Sequence, residues 1–136
     1  MPSIADHLAR HRQADLFLDT LPYNAHTTAA DALWAGLPVL TCLGSTFAGR
    51  VGSSLLNAVG LPELITTSFA DYEALALRLV REPALLAALR RKLAQNRGAT
   101  PLFDTKRFAR HIEAAYAKMW QRSQNAEPAE SFAVEM

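Results

Sequence analysis

Short apolar runs alternate along the chain with longer segments in which apolar residues recur every three or four positions. Short runs of this kind are typical of buried strands, and the longer periodic segments are typical of amphipathic helices. The predicted strands are residues 16–18, 38–42 and 64–66. Four of the predicted helices cover residues 4–12, 26–35, 48–59 and 105–122. A further helix is predicted after Ser68, with Tyr72, Leu75, Ala76 and Leu79 on one face, and another from Pro83 to the breaker that begins at Arg97.

Residues at the ends of these segments support the boundaries. Ser3 and Ser68 stand where helix N-caps are expected, and Asp6 gives Ser3 the spacing of a capping box. Gly36 stands where a left-handed C-terminal cap is favoured, and Pro38 prevents the helix from continuing. A strand, a crossover helix and a second strand in this order favour parallel pairing. We therefore predict an α/β fold, half of a doubly wound parallel sheet with a helical C-terminus, whose first βα units lie outside this chain.

Composition narrows the class of protein. The chain has 136 residues, half of them hydrophobic and a fifth charged, which suits one globular domain. A formal net charge of +1 gives no electrostatic reason to expect a nucleic-acid or membrane partner. Cys42 lies in an apolar run and is interpreted as a core residue. The sequence shows no signal-like amino terminus and no apolar stretch of about 20 residues, so we expect a cytoplasmic setting.

The segment from 16 to 31 carries the candidate chemistry. It predicts a strand, a loop at 20–25, and a helix whose first turn holds His26, Thr27 and Thr28. A helix N-terminus has free N–H groups and a partial positive charge, which suit phosphate. Asp31, about one turn later, could accept hydrogen bonds from a ribose. This arrangement suggests a nucleotide diphosphate site; the alternative is that the threonines only cap the helix and Asp31 only favours its dipole.

Other polar residues have open roles. Asp19, at the end of the first strand, is interpreted as a residue that orients the phosphate loop, with a phosphoacceptor role as a weaker alternative. His7 and His11 are four residues apart on one helix, a spacing that could bind metal, although no clear third ligand accompanies them. Arg50 could contact phosphate or pair with a carboxylate. Gly44 is expected to supply a backbone angle denied to other residues.

Four motifs in a fixed order resemble one enzyme family, the O-GlcNAc transferase and SPINDLY glycosyltransferases. The longest begins Leu18-Asp-Thr and continues through Asn24-Ala-His-Thr-Thr to Asp31-Ala-Leu-Trp-Ala-Gly-Leu-Pro-Val. The others are Gly44-Ser-Thr-Phe-Ala-Gly-Arg-Val, Gly60-Leu-Pro-Glu-Leu and Pro101-Leu-Phe-Asp-Thr-Lys. The resemblance extends over residues 3–122, most of the chain.

The resemblance implies a GT-B enzyme with two Rossmann-like domains, which transfers N-acetylglucosamine from UDP-GlcNAc to Ser or Thr hydroxyls of proteins. It implies inversion at the sugar without a metal or other cofactor. Residues 1–122 would form the carboxyl-terminal, incomplete part of the donor-binding domain, and residues 123–136 are expected to be a disordered tail. The implied partners are UDP-GlcNAc, a protein acceptor, an upstream N-terminal GT-B domain and tetratricopeptide repeats. A non-catalytic UDP-binding or structural α/β module is the alternative.

The resemblance also assigns residue roles. His26, Thr27 and Thr28 would hold the donor phosphates, and Asp31 would hold the ribose. His7 and Arg10 have the spacing of the family residues that contact uracil. The chain departs from the family pattern at Ile4, where a lysine is usual.

The last predicted helix carries an apolar stripe, which we interpret as core packing. The stripe consists of Phe108, Ile112, Ala115 and Met119. By resemblance, Trp120 beside it would belong to an interface between the two GT-B domains.

Overall fold

A computed structural model describes residues 3–134, which fall into two compact units divided after Leu102. The first unit contains a three-stranded sheet and five α-helices, and the second contains one α-helix. The strands are β1 (Phe17–Leu18), β2 (Val39–Cys42) and β3 (Ile65–Thr66). The helices are α1 (Ile4–Ala9), α2 (Thr27–Ala35), α3 (Val51–Ala58), α4 (Phe69–Arg81), α5 (Pro83–Asn96) and α6 (Thr105–Gln124). Single 3₁₀ turns lie at Arg10–Gln13, Ala48–Arg50, Pro62–Leu64 and Pro101–Phe103.

The sheet has the order β1-β2-β3 with both pairs parallel. Phe17 pairs with Val39 on one side of β2, and Cys42 pairs with Thr66 on the other. All four residues of β2 are buried, which explains why its sequence does not alternate between apolar and polar residues. The predicted α/β class and the parallel pairing are confirmed, and all three carboxyl ends therefore meet at one edge of the sheet.

The core of the first unit lies between the sheet and the helices around it. Its fully buried side chains are mostly leucine and valine, and they come from α2, β2, α3, α4 and α5 and from the connection before β3. They include Leu33, Val39, Leu40, Leu56, Val59, Leu61, Leu64, Leu79 and Leu93. Cys42 is also buried, as expected of a small core residue.

The predicted helix caps are present. The Ser3 hydroxyl accepts from the N–H of Asp6 while Asp6 accepts from the N–H of Ser3, so the capping box is complete. Hydrogen bonds from the Ser3 side chain, and then from its backbone, lower the pKa of Asp6. Ser68 caps α4 in the same way through the N–H of Asp71. Gly36 ends α2 at φ 89°, the left-handed conformation predicted for it.

The second unit differs from the sequence interpretation. Asp104 caps α6 by accepting from the N–H of Arg107. No residue of α6 is buried, and Phe108, for example, is 67% exposed. The prediction that the α6 stripe forms core is therefore wrong for this chain: the periodicity of a stripe shows that one face is apolar but does not show what covers it.

The predicted disorder of residues 123–136 stays a prediction. The helix α6 extends to Gln124, and the Arg122 guanidinium contacts the carboxylates of Glu127 and Glu130. Within residues 3–134, no helix combines the length and the apolarity that a membrane span requires.

Candidate nucleotide-binding site

A cleft of about 370 Å³ opens at the carboxyl end of β1, beside the start of α2. Asp19, Thr20 and Asn24 line it from the strand end and the loop, and His26 and Thr28 line it from the helix. Ligands of open α/β sheets bind at the carboxyl ends of the strands. The cleft therefore lies where the sequence predicted the phosphate site.

The start of α2 is not capped by a side chain. The helix begins at Thr27, His26 occupies the N-cap position, and no side-chain hydrogen bond closes this end. Both threonine side chains, Thr27 and Thr28, are exposed. The structure therefore does not show the alternative arrangement, in which the two threonines only cap the helix. The first-turn N–H groups lack intrahelical acceptors by helix geometry, so this end offers donors to an anion.

The His26 ring is held by its neighbours. It stacks on Tyr23 with ring centroids 4.8 Å apart, and Phe47 meets it edge-on at 6.4 Å. Its Nε2 atom is 3.4 Å from the carbonyl oxygen of Ala48, a long hydrogen bond. With Nε2–H donating there, Nδ1 has a proton to donate only in the cationic ring.

Asp19 organises the loop that precedes α2. Its Oδ1 accepts from the N–H groups of Thr20 at 2.8 Å and Ala25 at 2.6 Å, and its Oδ2 accepts from the Thr41 hydroxyl at 2.6 Å. The carboxylate is buried, and three donors compensate the loss of water. The prediction that Asp19 orients the phosphate loop by hydrogen bonds agrees with these contacts.

Three further residues fix this loop, and the sequence interpretation gave them no role. The Asn24 side chain is buried, donates to the carbonyl of Thr20 at 3.0 Å and accepts from the N–H of Gly52 at 3.4 Å. The Tyr72 hydroxyl donates to the backbone carbonyl of Asp19 at 2.8 Å. Burial, and then the nearby carboxylate of Asp19, raise the pKa of Tyr72.

A single signal in the sequence could have suggested part of this arrangement. Thr41 is a polar residue inside an otherwise apolar strand. A buried hydroxyl needs a partner, so its position predicts a hydrogen bond at this edge of the sheet. The contacts of Gly52 and Tyr72 join residues far apart in the chain, so no local sequence pattern predicts them.

The predicted base and ribose residues meet between α1 and α2. The Nε2 atom of His7 is 3.1 Å from Oδ2 of Asp31, and the Arg10 guanidinium donates to Nδ1 of the same ring. His11 meets the His7 ring edge-on at 5.5 Å. Asp31 lies four residues after Thr27, about 6 Å along the axis of α2. Asp31 therefore ties His7 and Arg10 to α2, about one turn from the candidate phosphate residues at the start of this helix.

The remaining candidates are placed differently from the predictions. Arg50 is exposed, and its Nη1 donates to the carbonyl of Ser45 at 3.2 Å. This partner is neither the phosphate nor the carboxylate that the sequence analysis considered for Arg50. Gly44 does not have a positive φ, so the prediction that its backbone angle requires glycine is wrong. A Cβ atom there would lie 3.0 Å from the Cα of Gly49, so close backbone approach is what requires glycine.

Ile4, which stands where the family usually has a lysine, is 81% exposed. Among residues 3–134, no three metal-ligating side chains are grouped.

Comparison with known proteins decides the family. The family model "Glycosyl transferase family 41" matches residues 2–112. The chain belongs to glycosyl transferase family 41. It is 37% identical over 123 residues to a UDP-N-acetylglucosamine–peptide N-acetylglucosaminyltransferase of Caenorhabditis elegans, covering 90% of this chain. It is 41% identical over 117 residues to the probable enzyme of this name, SEC, of Arabidopsis thaliana, covering 85% of this chain.

A solved member of the same kind supports the fold. The structure of a mutant O-GlcNAc transferase from Thermobaculum terrenum superposes with a TM-score of 0.85 at 41% identity and covers 93% of this chain. The predicted resemblance to O-GlcNAc transferases and the Rossmann-like fold are confirmed. The chain spans 11% and 12% of the two curated relatives and 24% of the solved chain. It therefore corresponds to a small part of each of these family 41 proteins.

Proposed function

We propose that this chain is the donor-binding part of a family 41 enzyme that transfers N-acetylglucosamine from UDP-GlcNAc to Ser or Thr hydroxyls of proteins. The observation that carries the proposal is the uncapped start of α2, which opens into the cleft at the end of β1. The names of the two curated relatives, which specify a UDP-N-acetylglucosamine donor and a peptide acceptor, support it.

Each predicted contact has a place in this proposal. The first turn of α2, with His26, Thr27 and Thr28, binds the diphosphate through backbone N–H groups and hydroxyls. Asp31, one turn later, accepts from the ribose. His7 of α1 and Arg10 of the turn that follows it contact the uracil. Arg50, whose Nη1 donates to the carbonyl of Ser45, remains a candidate phosphate contact.

The proposed chemistry is inversion at C1 of the sugar without a metal. The acceptor oxygen forms a bond to C1 while the bond from C1 to the β-phosphate oxygen breaks. The leaving UDP takes the electron pair, and the acceptor proton passes to a base outside this chain. The start of α2 stabilises the charge that grows on the β-phosphate, and one such preorganised donor contributes about 2.7–4 kcal/mol to lowering a barrier. The same proposal includes an upstream GT-B domain with the acceptor site, and tetratricopeptide repeats. It also includes a cytoplasmic setting.

Titration calorimetry with UDP tests the donor site. We expect the double variant Thr27→Ala/Thr28→Ala to bind UDP at least about tenfold more weakly, since hydrogen bonds to charged groups contribute about 1.5–3 kcal/mol each. Thr67→Ala, at an exposed position after β3, is the matched control and should bind as the parent chain does. Unchanged affinity in the double variant would contradict the proposal. UDP binding without sugar transfer, with the upstream domain present, would indicate the non-catalytic alternative.

A further inference from the structure

We propose that Asp31 is a positioning residue for His7: its carboxylate holds the imidazole in one tautomer and one orientation before any nucleotide arrives. This inference rests on the proposed function, because it assigns the His7 ring to the base of the donor. The same carboxylate would then have two functions, to bind the ribose and to position the His7 ring. One side chain of α2 would then control both the sugar and the base of the nucleotide.

The partners of the His7 ring define its tautomer. A guanidinium has only donors, so the bond from Arg10 requires that Nδ1 of His7 present its lone pair. The ring proton is then on Nε2, which lies 3.1 Å from Oδ2 of Asp31 and donates to it. The ring is therefore held at both nitrogens, by Arg10 on one side and by Asp31 of α2 on the other.

Within residues 3–134, the other polar groups that neighbour His7 have different hydrogen-bond partners. His11 contacts the ring edge-on, and its own Nδ1 is 3.3 Å from the carbonyl of Leu8. The Asp6 carboxylate, on the same helix, is bonded to Ser3. The contact with Asp31 is thus the one that ties the ring to the helix of the phosphate site.

The Asp31 carboxylate has capacity for a second partner. A carboxylate offers about four lone-pair sites, and the contact with His7 uses one on Oδ2. The side chains of Asp31 and His7 are 32% and 36% exposed, so both remain accessible to a ligand. A ribose hydroxyl can therefore reach Asp31 without displacing His7, and the loss of Asp31 should weaken base binding as well as ribose binding.

Long-range ¹H–¹⁵N NMR of the histidine rings in the ligand-free 136-residue chain tests the positioning directly. We expect the Nε2–H tautomer of His7 in the parent chain and in Arg10→Ala, where Asp31 alone holds the ring. We expect a mixture of tautomers in Arg10→Ala/Asp31→Ala, and recovery of the single tautomer in Arg10→Ala/Asp31→Asn, whose amide oxygen still accepts. Asp15→Ala, at a position whose side chain is 80% exposed, is the control. An unchanged His7 signal between Arg10→Ala and Arg10→Ala/Asp31→Ala would overturn the inference.

A second measurement uses UDP and 2′,3′-dideoxy-UDP, which lacks the ribose hydroxyls that Asp31 would bind. We expect Asp31→Ala to lower the affinity for the dideoxy compound about threefold to tenfold, and to add nothing once His7→Ala is present, since residues in contact are not additive. Equal binding of the dideoxy compound by parent and Asp31→Ala chains would show a ribose role alone and overturn the inference. If the parent chain bound neither compound, the proposed function would fail while the NMR result would still decide the contact.

Discussion

Gly52, in the first turn of α3, lies directly against the carboxylate of Asp19. A Cβ atom at Gly52 would be 2.5 Å from Oδ2 of Asp19 and 2.7 Å from Oγ1 of Thr41. The same backbone donates from its N–H to the side chain of Asn24. Three elements of the fold are therefore in contact at one buried point: the end of β1, the strand β2 and the start of α3. The loop before α2 depends on this point for its shape.

Replacing Gly52 by alanine should disrupt this point. In a helix, a change from glycine to alanine ordinarily stabilises, but here the new methyl group would overlap two buried oxygen atoms. We expect a loss of about 1–3 kcal/mol in the free energy of unfolding, measured by urea denaturation, and weaker UDP binding. Gly98→Ala is the matched control, because a Cβ atom there meets nothing within 4 Å. Equal stability of Gly52→Ala and the parent chain would contradict the close contact.

Thr41→Val tests the hydrogen bond to Asp19 without changing the shape of the side chain. The variant removes the donor that lies 2.6 Å from Oδ2 and leaves a buried carboxylate with one partner fewer. We expect a loss of about 1–3 kcal/mol of stability and faster amide hydrogen exchange at Ala25, which donates to the same carboxylate. Thr67→Val, at an exposed position, should change neither measurement. Unaltered exchange at Ala25 would show that Asp19 holds the loop without Thr41.

Local sequence patterns were sufficient to predict most of the elements of the first unit. The apolar run at β2 and the caps Ser3, Ser68 and Gly36 are short-range features, and the structure has each of them where it was predicted. The boundaries shifted where helices have 3₁₀ ends: α1 gives way to a turn at Arg10, and α3 begins only after a turn at Ala48–Arg50. Such ends depend on tertiary packing, which propensity does not report.

The candidate site was predictable only in part, for the same reason. The start of α2 and the role of Asp19 follow from residues close together in sequence. The contacts of Tyr72 and Gly52 with Asp19 join residues 53 and 33 positions apart, and they appear only once the sheet is assembled. The hydrogen bond between His7 and Asp31 is of this kind too, although the family resemblance had already named both residues.

Asn96→Ala should weaken the end of α3. The side-chain amide of Asn96 donates to the carbonyls of Val59 at 2.9 Å and Gly60 at 3.2 Å, where α3 has ended and its last carbonyls lack helical partners. We expect a loss of about 0.5–1.5 kcal/mol in the free energy of unfolding, the usual net contribution of an intramolecular hydrogen bond. Asn57→Ala, at an exposed position on α3, is the control. A loss of the same size in both variants would show that the Asn96 bonds contribute nothing specific.

Tyr72→Phe should change both the stability and its dependence on alkaline pH. The variant removes the hydroxyl that donates to the Asp19 carbonyl, and we expect a loss of about 0.5–1.5 kcal/mol near pH 7. Burial, and then Asp19, raise the pKa of Tyr72 above its usual 10.0, so the folded chain holds this proton more tightly than the unfolded chain. The contribution is fully present below about pH 10 and is lost as the pH rises through the raised pKa.

The parent chain should therefore lose stability above pH 10 more steeply than Tyr72→Phe, and the difference between the two should shrink as the pH rises. Urea denaturation at a series of pH values from 7 to 11 measures both curves. Tyr116→Phe, at an exposed position on α6, is the control and should follow the parent curve throughout. A constant difference between Tyr72→Phe and the parent across this range would contradict the linkage, because a hydroxyl that keeps its proton equally in both states contributes the same free energy at every pH.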